Sequence, residues 1–181
     1  PPEVSELYRG VSVPSLQPSS YINYEMGGWV SFCKKKGYFD VSLYQLHGIN
    51  EIISVQKDDG STEKENAGQT LHQGIEYTVK YAPTKVLSFR LSGANAAHTF
   101  VDFVEEGNDY NGNNMATAPG FICNSEITFR PKFIKGLRIA AEWQHLGEYY
   151  LDPANTEKYT GFDLANLRLG YQLKGFDFWL N

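Results

Sequence analysis

Asn66-Ala-Gly-Gln-Thr-Leu-His-Gln-Gly-Ile-Glu-Tyr-Thr-Val-Lys-Tyr-Ala-Pro83 decides the fold. From Leu71 to Tyr81 its polarity alternates with a period of two. Leu71, Ile75, Tyr77, Val79 and Tyr81 fall on one face, and His72, Gly74, Glu76, Thr78 and Lys80 on the other. At that spacing the apolar residues would circle a helix, and Thr, Ile, Val and Tyr are strand formers. The segment reads as one long β-strand, over about 66–81, that Pro83 stops.

The same pattern recurs on both sides of it. Alternating stretches predict strands at about 21–33, 38–56, 86–103, 120–130, 137–150, 161–173 and 176–181. Lys34-Lys35-Lys36-Gly37, Ala82-Pro83-Thr84-Lys85, Pro131 to Gly136 and Lys174-Gly175 read as short turns. Lys57 to Glu65, Glu105 to Pro119 and Leu151 to Thr160 read as longer loops. A change of phase is expected near Leu46 to Ile49, with Gly48 permitting a bulge. Residues 1–20, with four prolines, read as loop carrying at most a helical turn at Ser5 to Tyr8. The short turns begin 48, 49 and 43 residues apart, so the repeating unit is a pair of long strands with one tight and one long connection. An up-and-down meander of this kind gathers its tight turns at one rim and its long loops at the other.

Composition narrows the function. With 16 Lys+Arg against 21 Asp+Glu the net charge is -5, which excludes nucleic acid as a main partner, since phosphate binding requires clustered positive charge. Cys33 and Cys123 stand far apart with no zinc-type spacing and read as small apolar strand residues. No run approaches the ~20 apolar residues of a membrane helix, but a strand crosses a bilayer in ~9–11 residues with apolar side chains only at alternate positions.

Alternation is also the mark of a soluble two-sheet sandwich, whose apolar faces cover each other. Three features favour a membrane barrel. The strands reach a dozen residues or more where soluble strands cluster near ~5–6. Tight and long connections alternate strictly. The polar face carries Glu76, Lys80, Arg90, Glu126, Arg130, Arg138, Glu142 and Arg168 in mixed signs, as a wet lumen would. The expected fold class is therefore all-β: an antiparallel up-and-down meander of about eight long strands, a transmembrane β-barrel, which the family resemblance given next makes a partial one.

The run Asn66-Ala-Gly-x-Thr-x-His-x-Gly-Ile-Glu76, leading into a long strand and a proline turn, resembles the barrel of the TonB-dependent outer-membrane receptors. Pro2-x-x-Ser-x-Leu-Tyr-Arg-Gly10 is similar to loops of that family, and Gly147 to Phe162 followed by Leu167-Arg-Leu-Gly-Tyr171 is similar to its penultimate strands. The resemblance implies a barrel of roughly 22 strands closed by an N-terminal plug. It further implies active uptake of a scarce nutrient across the outer membrane of a Gram-negative bacterium. An iron-siderophore-type chelate is the expected ligand, and a TonB-type partner acting through the plug the expected source of energy. No plug, TonB-contacting segment or closing aromatic strand is recognised here, so residues 1–181 read as a C-terminal fragment of one larger barrel. A passive substrate-specific porin and a soluble β-rich binding or adhesion module remain alternatives.

No catalytic constellation stands out, and the chain does not read as an enzyme. No cofactor is signalled. His47, His72, His98 and His145 occur singly; His72 matches the family motif and reads as a structural residue of the lumen, not a metal ligand. Asp58-Asp59-Gly60 lacks the spaced oxygens of a calcium loop. Ligand contacts are expected in the long loops, at Asp109, Tyr110, Asn111 and Asn113 and at Tyr149, Tyr150, Asp152 and Asn155.

Overall fold

The computed structural model describes residues 16–56 and 60–181. Eight strands form one sheet: β1 (Ser20–Phe32), β2 (Gly37–Gln56), β3 (Thr62–Tyr81), β4 (Leu87–Asp102), β7 (Phe121–Phe129), β8 (Leu137–Leu146), β11 (Phe162–Leu173) and β12 (Phe176–Leu180). Each pairs antiparallel with the next in the chain, in the order β1-β2-β3-β4-β7-β8-β11-β12. The long connections carry two-residue hairpins of their own, β5 (Val104–Glu105) with β6 (Asn108–Asp109), and β9 (Tyr149–Tyr150) with β10 (Lys158–Tyr159). This is the expected all-β meander, with tight turns at one end and long loops at the other.

Registers fix the two faces, because directly paired residues point the same way. Thr78 lies between Asp40 and Ser92, Glu76 between Ser42 and Ala94, and Lys80 between Tyr38 and Arg90. Next door on the opposite face, Val79 lies between Phe39 and Leu91. Along this second face the residue eight positions from the turn end is polar in four strands: Gln45, Gln73, Asn95 and His145. Between the turns and that level the face carries no charged side chain on any of the eight strands. Eight residues at roughly 3.3 Å, tilted by roughly 40°, stand ~20 Å tall, which approaches the ~25 Å apolar band of a barrel once flanking rings are added.

Among the described residues nothing covers this band. Val30 is 52% exposed, Leu43 47%, Ile127 48% and Leu167 57%. The buried hydrophobic cluster lies elsewhere, at the loop end, and consists of Val55, Ala67, Phe100, Phe103 and Met115. A sandwich would interleave the apolar side chains with a second layer of protein, and the small sheets are two-residue hairpins that cannot do so. The long strands are the wall of a barrel whose apolar side is made for acyl chains.

Local chemistry explains the turns. Lys174 and Gly175 both have positive φ, 46° and 89°, the two-residue geometry that follows strand twist. The first tight turn runs from Cys33 to Lys36, one residue earlier than the sequence suggests. Gly37 already belongs to β2, where a Cβ would lie 2.2 Å from the Phe32 ring.

Other boundaries also differ from expectation. β3 starts at Thr62, because Gln56 to Glu51 pair with Thr62 to Ala67 and shorten the charged loop. β8 ends at Leu146: Gly147 N donates to Phe121 O, and the chain turns off to form the β9–β10 hairpin instead of continuing the strand. Gly48 makes no bulge. The β2–β3 register keeps one offset from Gly48↔Thr70 to Glu51↔Ala67 but skips Asn50, where the phase changes and φ is +54°. The register shift sits between β3 and β4, where Gln69 faces Asp102 and Thr70 faces Phe100. The helical turn expected at Ser5 to Tyr8 and the residues Asp58 and Asp59 lie outside the described residues.

Candidate functional site: the loop end of the luminal wall

The charged face is internally compensated. Glu126 lies 3.5 Å from Arg138 and 4.0 Å from Arg90 and accepts a hydrogen bond from Thr128 Oγ1 at 2.6 Å. Arg168 pairs with Glu142 at 2.5 Å, and the Arg138 guanidinium lies over the Trp179 ring. Mixed pairs of this kind suit a water-filled interior, where neither sign has to be buried alone.

Above it the two long loops are stitched together. Asn113 Nδ2 donates to Pro153 O at 2.9 Å. Asn155 receives the Asn114 N–H on Oδ1 and returns a bond from Nδ2 to Asn114 O, both at 2.8 Å. Thr117 N donates to Tyr150 O, and Met115 N to His98 O, which ties the loop to β4. Within the first loop Asp109 Oδ1 accepts from Asn111 N, Asn111 Oδ1 accepts from Phe103 N, and Tyr110 lies against Phe103. Asp152 accepts from Thr156 N, Thr156 Oγ1 and Glu157 N. Partial burial pushes its carboxyl up, but these bonds together outweigh burial and hold it below the ordinary aspartate range.

The eight loop residues singled out from the sequence thus divide. Asp109, Asn111, Asn113, Asp152 and Asn155 spend their polar groups on loop architecture, and Tyr110 on the apolar cluster. Tyr149 and Tyr150 line a cavity of about 590 Å³ between the loops, together with His98, Asn114, Phe121 and Lys158. Lys158 Nζ bonds Glu148 Oε1 at 2.6 Å and lies over the Tyr150 ring; that hydrogen bond holds its ammonium above the usual lysine range. Among the described residues no three His, Cys, Asp or Glu side chains converge to hold a metal ion.

Below the loops a polar chain crosses three strands. Thr70 Oγ1 donates to Glu51 Oε2 at 2.5 Å, His72 Nε2 contacts the same oxygen at 2.8 Å, and His72 Nδ1 meets His98 Nδ1 at 2.8 Å. The Asn50 phase change brings Glu51 onto this face, and Gly48 leaves room for the group, since a Cβ there would lie 2.3 Å from Thr70 Oγ1 and 2.9 Å from Glu51 Oε2. Sequence reasoning missed Glu51, Thr70 and His98. Reflecting β3 through the Ala82–Val86 turn sets His98 opposite His72, a signal the sequence did contain; Glu51 arrives only through one backbone φ.

A sheet of long strands with an uncovered apolar band, a compensated polar face and loops at one rim is the wall of a transmembrane barrel. Consistent with this, the family described as TonB dependent receptor-like, beta-barrel, matches residues 1–181, and the chain belongs to it. The family consists of outer-membrane receptors and transporters of Gram-negative bacteria. Among solved structures, the chain is similar to the copper transporter OprC (TM-score 0.73, 15% identity, 96% of this chain and 27% of that one). It is also similar to the ferric yersiniabactin uptake receptor FyuA from Yersinia pestis (0.66, 18%, 90% and 24%). The ferric-catecholate import receptor Fiu from E. coli K12 is a third such structure (0.65, 18%, 91% and 23%). At such identities the likeness is one of fold, and the chain spans about a quarter of each of these structures.

Proposed function

We propose that the chain is a C-terminal section of the barrel of an active-uptake receptor in a Gram-negative outer membrane, and that its cargo is a metal chelate of the iron-siderophore type. The observation that carries the first part is the uncharged, uncovered band on the long strands, which lipid satisfies and water does not. The metal-chelate part draws support from the neighbours, two of which are named for ferric chelates and one for copper. Ligand capture belongs to the stitched loops and the cavity beneath them, and energy to a TonB-type partner reached through a plug domain elsewhere in the full-length protein.

The test is an uptake assay. Disrupting the gene abolishes accumulation of one ferric siderophore from a panel, as does disrupting the TonB-type partner, while passive diffusion of small solutes is unchanged. Uptake that survives loss of the partner supports the porin reading instead. Folding of the protein as a detergent-free aqueous monomer rejects both.

A further inference from the structure

The Glu51–His72–His98 chain sets a tautomer. Glu51 as a carboxylate only accepts, and it takes the Thr70 hydroxyl and the His72 Nε2 proton on one oxygen. A neutral His72 with its proton on Nε2 has a bare Nδ1. The contact of 2.8 Å with His98 Nδ1 is then a bond that His98 must donate. Ring centroids 5.1 Å apart indicate that the two rings meet nearly end to end, the alignment of a straight N–H···N bond. A neutral His98 with its proton on Nδ1 has a lone pair on Nε2, at the edge of the ring turned away from His72.

His72 and Glu51 line a small cavity of about 270 Å³ under the loop, whereas His98 lines the 590 Å³ cavity with Tyr149 and Tyr150. The histidine pair therefore lies between the two cavities. The larger one offers three aromatic rings, Phe121, Tyr149 and Tyr150, and its charged pair Glu148–Lys158 is already neutralised across 2.6 Å.

We infer that Glu51, Thr70 and His72 are positioning residues that present His98 Nε2 as a fixed hydrogen-bond acceptor to the loop-covered cavity, which takes an uncharged aromatic group bearing a hydroxyl donor. A bare imidazole nitrogen requires a donor, the rings supply flat apolar surface, and the compensated pair gives no reason to recruit an ion. The inference rests on the receptor reading only in taking this cavity as the ligand site. Protonation of His98 removes the acceptor, so acidification weakens binding. Among the described residues, the titratable or charged groups facing the relay and cavity are Glu51 on β2, His72 on β3, His145 on β8 with its partner Asp163 on β11, the phenols Tyr149 and Tyr150, and Glu148 and Lys158 around β9 and β10.

The experiment uses the full-length receptor in detergent with ¹⁵N-labelled histidine, and phenol as the probe. At neutral pH the His98 signals show an unprotonated Nε2, and phenol shifts that resonance. Glu51→Gln, whose amide can donate to His72, lets the tautomer mix and weakens phenol binding roughly three- to tenfold. His72→Asn, with unchanged heat-modifiable migration on a gel, does the same. A wild-type His98 carrying its proton on Nε2 overturns the relay without any variant, and a phenol titration that leaves His98 unmoved overturns the site. Either failure leaves the uptake assay, and hence the receptor reading, standing.

Discussion

Replacing Leu91 by Arg tests which side of the sheet meets lipid. Leu91 is four residues from the turn-end residue Leu87 and four from Asn95, midway up the uncharged band, between Val79 and Ser125. Arg at the bilayer midplane of a barrel costs roughly 2–4 kcal/mol. That corresponds to a roughly 30- to 1,000-fold loss in the folding equilibrium, since about 1.4 kcal/mol is tenfold. Ser92→Arg is the control one residue on. Ser92 faces the charged interior between Thr78 and Asn124, close to where Arg90 and Arg138 are already accommodated, so it is expected to cost less than about 1 kcal/mol. The assay is denaturant-dependent folding of the full-length protein into phospholipid vesicles, followed by tryptophan fluorescence. A Ser92→Arg penalty equal to or larger than that of Leu91→Arg would invert the assignment of faces and refute the reasoning.

Three further outcomes follow from local geometry. Gly48→Ala puts a methyl 2.3 Å from the buried Thr70 hydroxyl, so it is expected to destabilise by ~1–3 kcal/mol and to disturb His98, read as a lower unfolding midpoint and a changed His98 spectrum. Asn155→Ala removes both bonds to Asn114 and strains a residue at φ +59°. It should therefore nick faster in limited proteolysis of the two loops than Asn155→Gly, which loses the bonds without the strain. Asp152, held below its ordinary value, contributes loop order that is complete above the unfolded aspartate range and is lost as pH falls through the depressed folded value. Hydrogen exchange of Thr156 and Glu157 amides should therefore accelerate only at the acid end, and at higher pH in Thr156→Val than in wild type.

How much could be read in advance differs between wall and loops. Val79, Tyr81 and Phe89 declare their face by parity, because a strand has a period of two and neighbours in an antiparallel pair must agree. The loop residues had no such rule. Asn113 and Asn155 look like free ligand contacts in the sequence, and their use as stitches depends on two loops 41 residues apart meeting. The strand ends were legible to a few residues. Gly147 and Asn50, where the pattern fails, are set by a carbonyl two strands' length away or by a single left-handed φ.

The sequence by itself determined the strands, their two faces and the rim at which the turns gather, since those follow from alternation and from turn chemistry within a few residues. Only the tertiary structure decided that, among the described residues, no second layer covers the apolar side. It also decided that a carboxylate, a hydroxyl and two imidazoles from three strands line up into one hydrogen-bonded chain. Periodicity constrains each ribbon separately, whereas cover and convergence depend on where distant ribbons come to rest.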